Sequence, residues 1–106
     1  MPSRLQVPPR ARRGERVEVR IVIQHPMENG QRRDAEGRTV PYNALQEMFC
    51  RYAGEEVFRM YLSSGFAANP VLDFHLVASR SGEIELHWVD TEGETGSASA
   101  RIAVDD

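Results

Sequence analysis

Lysine is absent from this chain: all 13 basic side chains are arginine, set against 16 acidic residues. Each cation is therefore a planar fork able to grip carboxylates and oxyanions bidentately. A single cysteine, Cys50, excludes an internal disulfide and gives no metal-ligand spacing. Nowhere are there the ~18 consecutive apolar residues of a membrane span. The amino terminus, MPSRLQVPPRARRG, also lacks the apolar core of a signal peptide, and by itself this predicts a cytoplasmic chain. No P-loop, dinucleotide fingerprint or zinc signature occurs.

What is present is ordinary globular material, 41% hydrophobic and 27% charged. A chain of 106 residues is expected to form one domain, residues 1–106, that buries roughly two-thirds of its unfolded surface. The net charge of −3 hides an asymmetry: residues 1–40 hold nine arginines against five acids, and 41–106 hold four against eleven. The cluster Arg10, Arg12, Arg13, Arg16 and Arg20 could touch phosphate. No stacking aromatics interleave with it and the chain is acidic overall, so no nucleic-acid partner is expected.

Period-two alternation recurs along the chain. Val17, Val19, Ile21 and Ile23 share one face of ERVEVRIVIQ, with charged or polar residues on the other. The same pattern groups Met48, Cys50 and Tyr52; Phe58, Met60 and Leu62; Leu72, Phe74, Leu76 and Ala78; Ile84, Leu86 and Trp88; and Ala98, Ala100, Ile102 and Val104. With an edge strand near Leu5 to Val7, these predict an all-β, immunoglobulin-like antiparallel sandwich of about seven strands. Turns are expected at Pro8-Pro9 through Gly14, Ala53-Gly54-Glu55, Ser63-Ser64-Gly65 through Pro70, Ser81-Gly82 and Thr91-Glu92-Gly93. Trp88 reads as core.

One connection is too long for a bare turn: HPMENGQRRDAEGRTVP, His25 to Pro41. Loops above about 12 residues without secondary structure are usually functional or disordered. In such a sandwich this loop shares an end with SSGFAANP and the last hairpin turn, so Arg32 and Arg33 are expected near Glu92 and Glu94. Met27 is expected to pack inward, leaving Arg32, Arg33, Asp34 and Arg38 for recognition, with His25 at the loop's first corner. A second surface comes from FCRYAGEEVFRMYL. With Gly54-Glu55-Glu56 as the loop, Phe49 stands opposite Tyr61, Arg51 opposite Arg59 and Ala53 opposite Val57, all outward. Aromatic plus arginine on an outer face is interface composition, so Phe49, Arg51, Val57, Arg59 and Tyr61 are the candidate partner residues. Cys50 falls on the core face and is expected to be inert. His25, His75 and His87 are scattered, and no metal or cofactor is expected from them.

The run HPMENGQRRDAEGRTVP, then a cysteine-containing strand, GEEVF, AANPVLDFHL, GEIELHWVDTEGE and ARIAV, resembles the SoxZ family, a subunit of the carrier complex of thiosulfate oxidation. The resemblance covers almost the whole chain, and its most specific part is the HPMxxGxRxDxxGxxxP block. It implies a non-catalytic immunoglobulin-like subunit that forms a heterodimer with a SoxY-like protein. That partner's mobile, glycine-rich arm carries a cysteine on which sulfur intermediates are worked by other thiosulfate-oxidation enzymes, which visit transiently. This chain ends in ARIAVDD, without glycine or cysteine, matching the subunit that does not carry. The resemblance also implies a periplasmic destination, reached by export with a signal-bearing partner. An exposed apolar face lacking its partner leaves the isolated chain open to homodimerisation. The competing expectations are a metal-dependent redox protein using His25, His75 and His87, and a ligand-binding module gripping through the loop end near Phe66 and Tyr42.

Overall fold

The alternation becomes strands almost everywhere it occurs. A computed structural model describes residues 2–63 and 65–106; Ser64, inside the expected turn after Ser63, lies outside them. The described residues form no helix and eight strands. These are β1 (Ser3–Gln6), β2 (Arg10–Arg12), β3 (Arg16–Ile23), β4 (Leu45–Tyr52), β5 (Glu55–Tyr61), β6 (Val71–Val77), β7 (Gly82–Asp90) and β8 (Thr95–Asp105). A three-stranded sheet runs β1-β3-β6 and a five-stranded sheet runs β2-β8-β7-β4-β5. The chain is thus an immunoglobulin-like β-sandwich.

Eight strands among the described residues meet the expectation of about seven, and one pairing, β2 with β8, is parallel. Arg10–Arg12, expected as part of a turn, is a strand that pairs parallel with β8, Arg10 opposite Ala103. The cause lies just before it. Two consecutive prolines, Pro8 and Pro9, carry no N–H and cannot continue the β1 ladder. The chain therefore leaves β3 and crosses to the other sheet, where the Ala103 N–H donates to the Pro9 carbonyl at 2.9 Å.

The core lies between the sheets. Val19, Ile21, Ile23, Leu45, Met48, Ile84, Leu86 and Ile102 are fully buried, each side chain contributing about 1.5–3 kcal/mol of transfer free energy. The Trp88 indole lies across Gly96, its cross-strand neighbour, where any Cβ would overlap the ring. At the end of the sandwich where β4 finishes, the Tyr52 hydroxyl accepts the Ser79 and Arg80 N–H groups at 3.2 and 3.1 Å and donates to the Arg80 carbonyl.

The β4–β5 hairpin departs from its expected register. The chain turns on two residues, Ala53 and Gly54, both left-handed with φ of 49° and 87°, and the ladder shifts between Cys50 and Arg51. A two-residue turn with both φ positive matches strand twist. In consequence Phe49 faces Arg59, Arg51 faces Glu56 and Glu47 faces Tyr61. The expected Arg51–Arg59 pairing is therefore absent, replaced by an opposite-charge pair. Val57, skipped by the bulge, lines a groove with Tyr52, Leu76 and Val77 instead of standing opposite Ala53.

Candidate interaction surfaces

Three connections meet at one end of the sandwich: 24–44, 65–70 and the β7–β8 turn. Their centre is a buried polar pair, His25 and Asp90, each 1% exposed. The Met27 N–H donates to His25 Nδ1 at 3.0 Å, so the ring proton sits on Nε2, which donates to Asp90 Oδ2 at 3.1 Å. The other carboxylate oxygen accepts the N–H groups of Glu92 and Glu94 at 3.0 and 2.9 Å. Burial acts to raise the Asp90 carboxyl; the bonds from His25, Glu94 and Glu92 outweigh it and hold the group below the usual carboxylate range. The His25 backbone is tied to Asn69 twice: its N–H donates to Asn69 Oδ1 at 3.0 Å, and its carbonyl accepts the Asn69 N–H at 2.8 Å.

From that anchor the loop organises itself. Met27 is left-handed, φ 51°, and buried, its sulfur accepting the Leu45 N–H at 3.3 Å. Isolated bridges Glu28–Asn43 and Arg33–Thr39 follow and brace the otherwise irregular loop at two points. Arg32 grips the Glu28 carboxylate, Nη2 to Oε1 at 2.6 Å, and its hydrogen bond lowers that carboxyl. Arg33 Nη1 donates to the Gly37 carbonyl at 2.9 Å, while Asp34 Oδ1 accepts the Glu36 and Arg38 N–H groups at 2.9 and 3.0 Å. Among the proposed recognition residues, His25 and Met27 are thus interior anchors and Asp34 shapes the tip. Arg32, Arg33 and Arg38 are exposed.

The second surface is the outer face of the five-stranded sheet. Register aligns Ser97, His87, Phe49 and Arg59 in one row across β8, β7, β4 and β5. The Phe49 ring stacks on His87 with centroids 5.1 Å apart and planes 22° from parallel. The Arg59 and Arg51 guanidinium carbons lie 4.8 and 5.2 Å from its centroid, within cation–π reach. Glu47 and Glu56 both pair with Arg59. The neighbouring row brings Thr95, Val89, Glu47 and Tyr61 together, and Tyr61 is 70% exposed. Short hydroxyl side chains at Thr95 and Ser97 leave a depression of about 480 Å³ against Phe49, His87 and Val89. The face is thus aromatic-centred and shallowly concave, a composition found at interfaces.

The three histidines stand apart. His25 is inside the loop end, His87 stacks on Phe49, and His75 lies on the outer face of the three-stranded sheet, 3.7 Å from Glu18. Among the described residues no three His, Cys, Asp or Glu side chains converge. Phe66 packs against the core while Tyr42 is exposed. Cys50 is fully buried, and burial pushes its thiol up to about 12, which removes the thiolate that nucleophilic or carrier chemistry needs. Asp90 and Asn69 were missing from the expected site; both stand in segments, W-x-D and ANP, that carried the resemblance.

The fold has wide company among solved structures. The superoxide reductase (neelaredoxin) of Ignicoccus hospitalis superposes with a TM-score of 0.70 at 17% identity, over 97% of this chain and 80% of that one. A putative superoxide reductase of Thermotoga maritima gives 0.70 at 15% identity, covering 96% and 84%. The sulfur carrier protein SoxY of Chlorobium limicola f thiosulfatophilum gives 0.69 at 11% identity, covering 98% and 79%. At these identities the likeness is one of fold. No curated protein matches the chain in sequence. The model of the family described as sulphur oxidation protein SoxZ matches residues 5–101, nearly the whole length, and the chain belongs to that family.

Proposed function

We propose that this chain is the non-catalytic scaffold subunit of a sulfur carrier: it pairs with a SoxY-like protein whose arm cysteine bears the sulfur intermediates, and presents them to thiosulfate-oxidising enzymes. The observation that carries this reading is the state of Cys50. A member of a sulfur-oxidation family whose single thiol is sealed in the core, with its ionisation pushed to about 12, needs a second chain to hold the sulfur. The outer face around Phe49, Arg51, Arg59 and Tyr61 is the surface assigned to that partner, and the loop arginines Arg32, Arg33 and Arg38 are assigned to the visiting enzymes. The periplasmic site of action rests on the family resemblance alone.

Native mass spectrometry of tagged protein from a periplasmic fraction tests the reading. The expected species is a complex with a second small chain bearing extra sulfur mass, unchanged when Cys50→Ser replaces the buried thiol. Loss of sulfur loading in folded Cys50→Ser protein would overturn the division of labour. Recovery of only the free 12.0 kDa chain would overturn the pairing.

A further inference from the structure

The sandwich has an open side, where the last strands of the two sheets, β5 and β6, both lie at an edge. Edge strands offer unpaired N–H and C=O groups that template pairing with another chain, and soluble proteins usually blunt them. β5 is blunted: it carries the bulge at Val57, two successive glutamates, Glu55 and Glu56, and the ion-paired Arg59. β6 has no bulge against β3 and no proline, its polar residues Asp73 and His75 are of complementary kind, and its flanking valines, Val71 and Val77, are 55% and 59% exposed.

The sequence of β6 is VLDFHLV. About Phe74 it has the same chemistry in both directions: valine at each end, leucine next, and an acid and a histidine on either side of the centre. Two antiparallel copies centred on Phe74 would set Val71 opposite the second copy's Val77, Leu72 opposite its Leu76, and Asp73 opposite its His75. A two-fold axis demands this self-complementarity, because residue i must suit residue j and j must suit i.

The backbone agrees with the side chains. The Ile23 N–H donates to the Pro70 carbonyl, and the Ala78 N–H to the Glu15 carbonyl, at the two ends of the β3–β6 ladder. Bonded pairs alternate along an antiparallel ladder, so Leu72, Phe74 and Leu76 turn their backbone groups toward β3. Val71, Asp73, His75 and Val77 turn theirs to the open edge. Those are the residues that the Phe74-centred register places opposite one another, so each would meet a bonding partner. The side chains extend the match. Asp73 is held by Arg20 at 2.9 Å and His75 lies by Glu18, so pairing would bring Glu18, His75 and the second copy's Asp73 and Arg20 into one polar row.

We propose that β6 is a homodimerisation edge, which joins two copies of this chain into one continuous sheet ordered β1-β3-β6-β6-β3-β1. The inference does not rest on the carrier reading. The dimer leaves the outer face of each five-stranded sheet open, so it is compatible with a carrier bound to each copy.

Hydrogen exchange by NMR on the isolated full chain, across a concentration series, tests it together with sedimentation equilibrium. The expected result is a species of twice 12.0 kDa whose formation slows exchange at the amides of Val71, Asp73, His75 and Val77, while Arg59 and Tyr61 on the β5 edge stay fast. His75→Asp places like charges opposite each other at both symmetric positions and should weaken association about tenfold, whereas His75→Lys should preserve it. Val77→Lys, at an exposed site that cannot disturb the core, should weaken it similarly. A monomer at every concentration overturns the proposal. So does a dimer whose protection falls elsewhere than on β6, or one indifferent to both His75→Asp and Val77→Lys.

Discussion

The loop end and the outer face of the five-stranded sheet are both rich in the residues that recognition uses, yet they are built in opposite ways. At the loop end the central polar pair points inward while the loop arginines stay outside. His25, Asp90 and the Asn69 amide are consumed by backbone donors and acceptors, and they hold about twenty residues of irregular chain in a fixed shape. On the sheet face the backbone is already satisfied by the ladders, so Phe49, His87, Arg51 and Arg59 arrange one another and remain at the surface. Loops need internal polar groups because their backbone has no ladder partner; sheets release theirs for contact. Damage to the first surface should therefore read as lost stability, and damage to the second as lost affinity.

The largest effect belongs to Asp90→Ala. It strands the buried His25 Nε2–H, frees two part-buried turn N–H groups and should cost about 3 kcal/mol in urea unfolding. The acid limb follows with a definite sign. Asp90 is held below its ordinary value in the folded state, so its contribution is complete above the unfolded value of about 3.9 and disappears as pH falls through the lower folded value. Asp90→Asn should accordingly flatten the loss of stability below about pH 4. Equal stability of wild type and Asp90→Ala would break the contrast between the two surfaces.

On the sheet face, Phe49→Glu should leave the folding free energy within about 1 kcal/mol and weaken binding to the proposed SoxY-like partner by about 2 kcal/mol, read by calorimetric titration. A folded variant with unchanged affinity removes this face from the interface. Returning to the loop end, Asn69→Ala should lower stability by about 1–2 kcal/mol, because it deletes the bond to His25 and leaves alanine at φ 53°. The smallest expected change is Arg38→Ala, within about 0.5 kcal/mol of wild-type stability; any loss of turnover in the reconstituted pathway would then report recognition alone.

Much of the sandwich was legible in the chain. Strict alternation marks β3, β6 and β7 because a strand buried on one face must repeat every two residues, and the prolines and glycines between them mark the turns. β2 was not legible: Arg-Ala-Arg offers one apolar residue, and its partner Ala103 is more than ninety residues away. The β4–β5 register was missed for a local reason, the placement of alanine at a positive φ and a one-residue bulge, neither of which has a composition signal. Phe49, Arg51, Arg59 and Tyr61 were still assigned to the correct strands, since the extra residue, Val57, lies on β5 and leaves the alternation of Phe49 and Arg51 on β4 intact, but their pairing and the place of Val57 were not.

By itself, then, the sequence determined an all-β fold, a buried Cys50, an inward Met27 and membership of a sulfur-oxidation family, because each depends on period, composition or a run of fixed residues. Tertiary structure alone decided that His25 meets Asp90, that Phe49 lies between His87 and two arginines, and that β6 is left at an open edge with its self-complementary row outward. Those are relations between residues distant along the chain, and only the closing of the two sheets on one another brings them within a few ångströms.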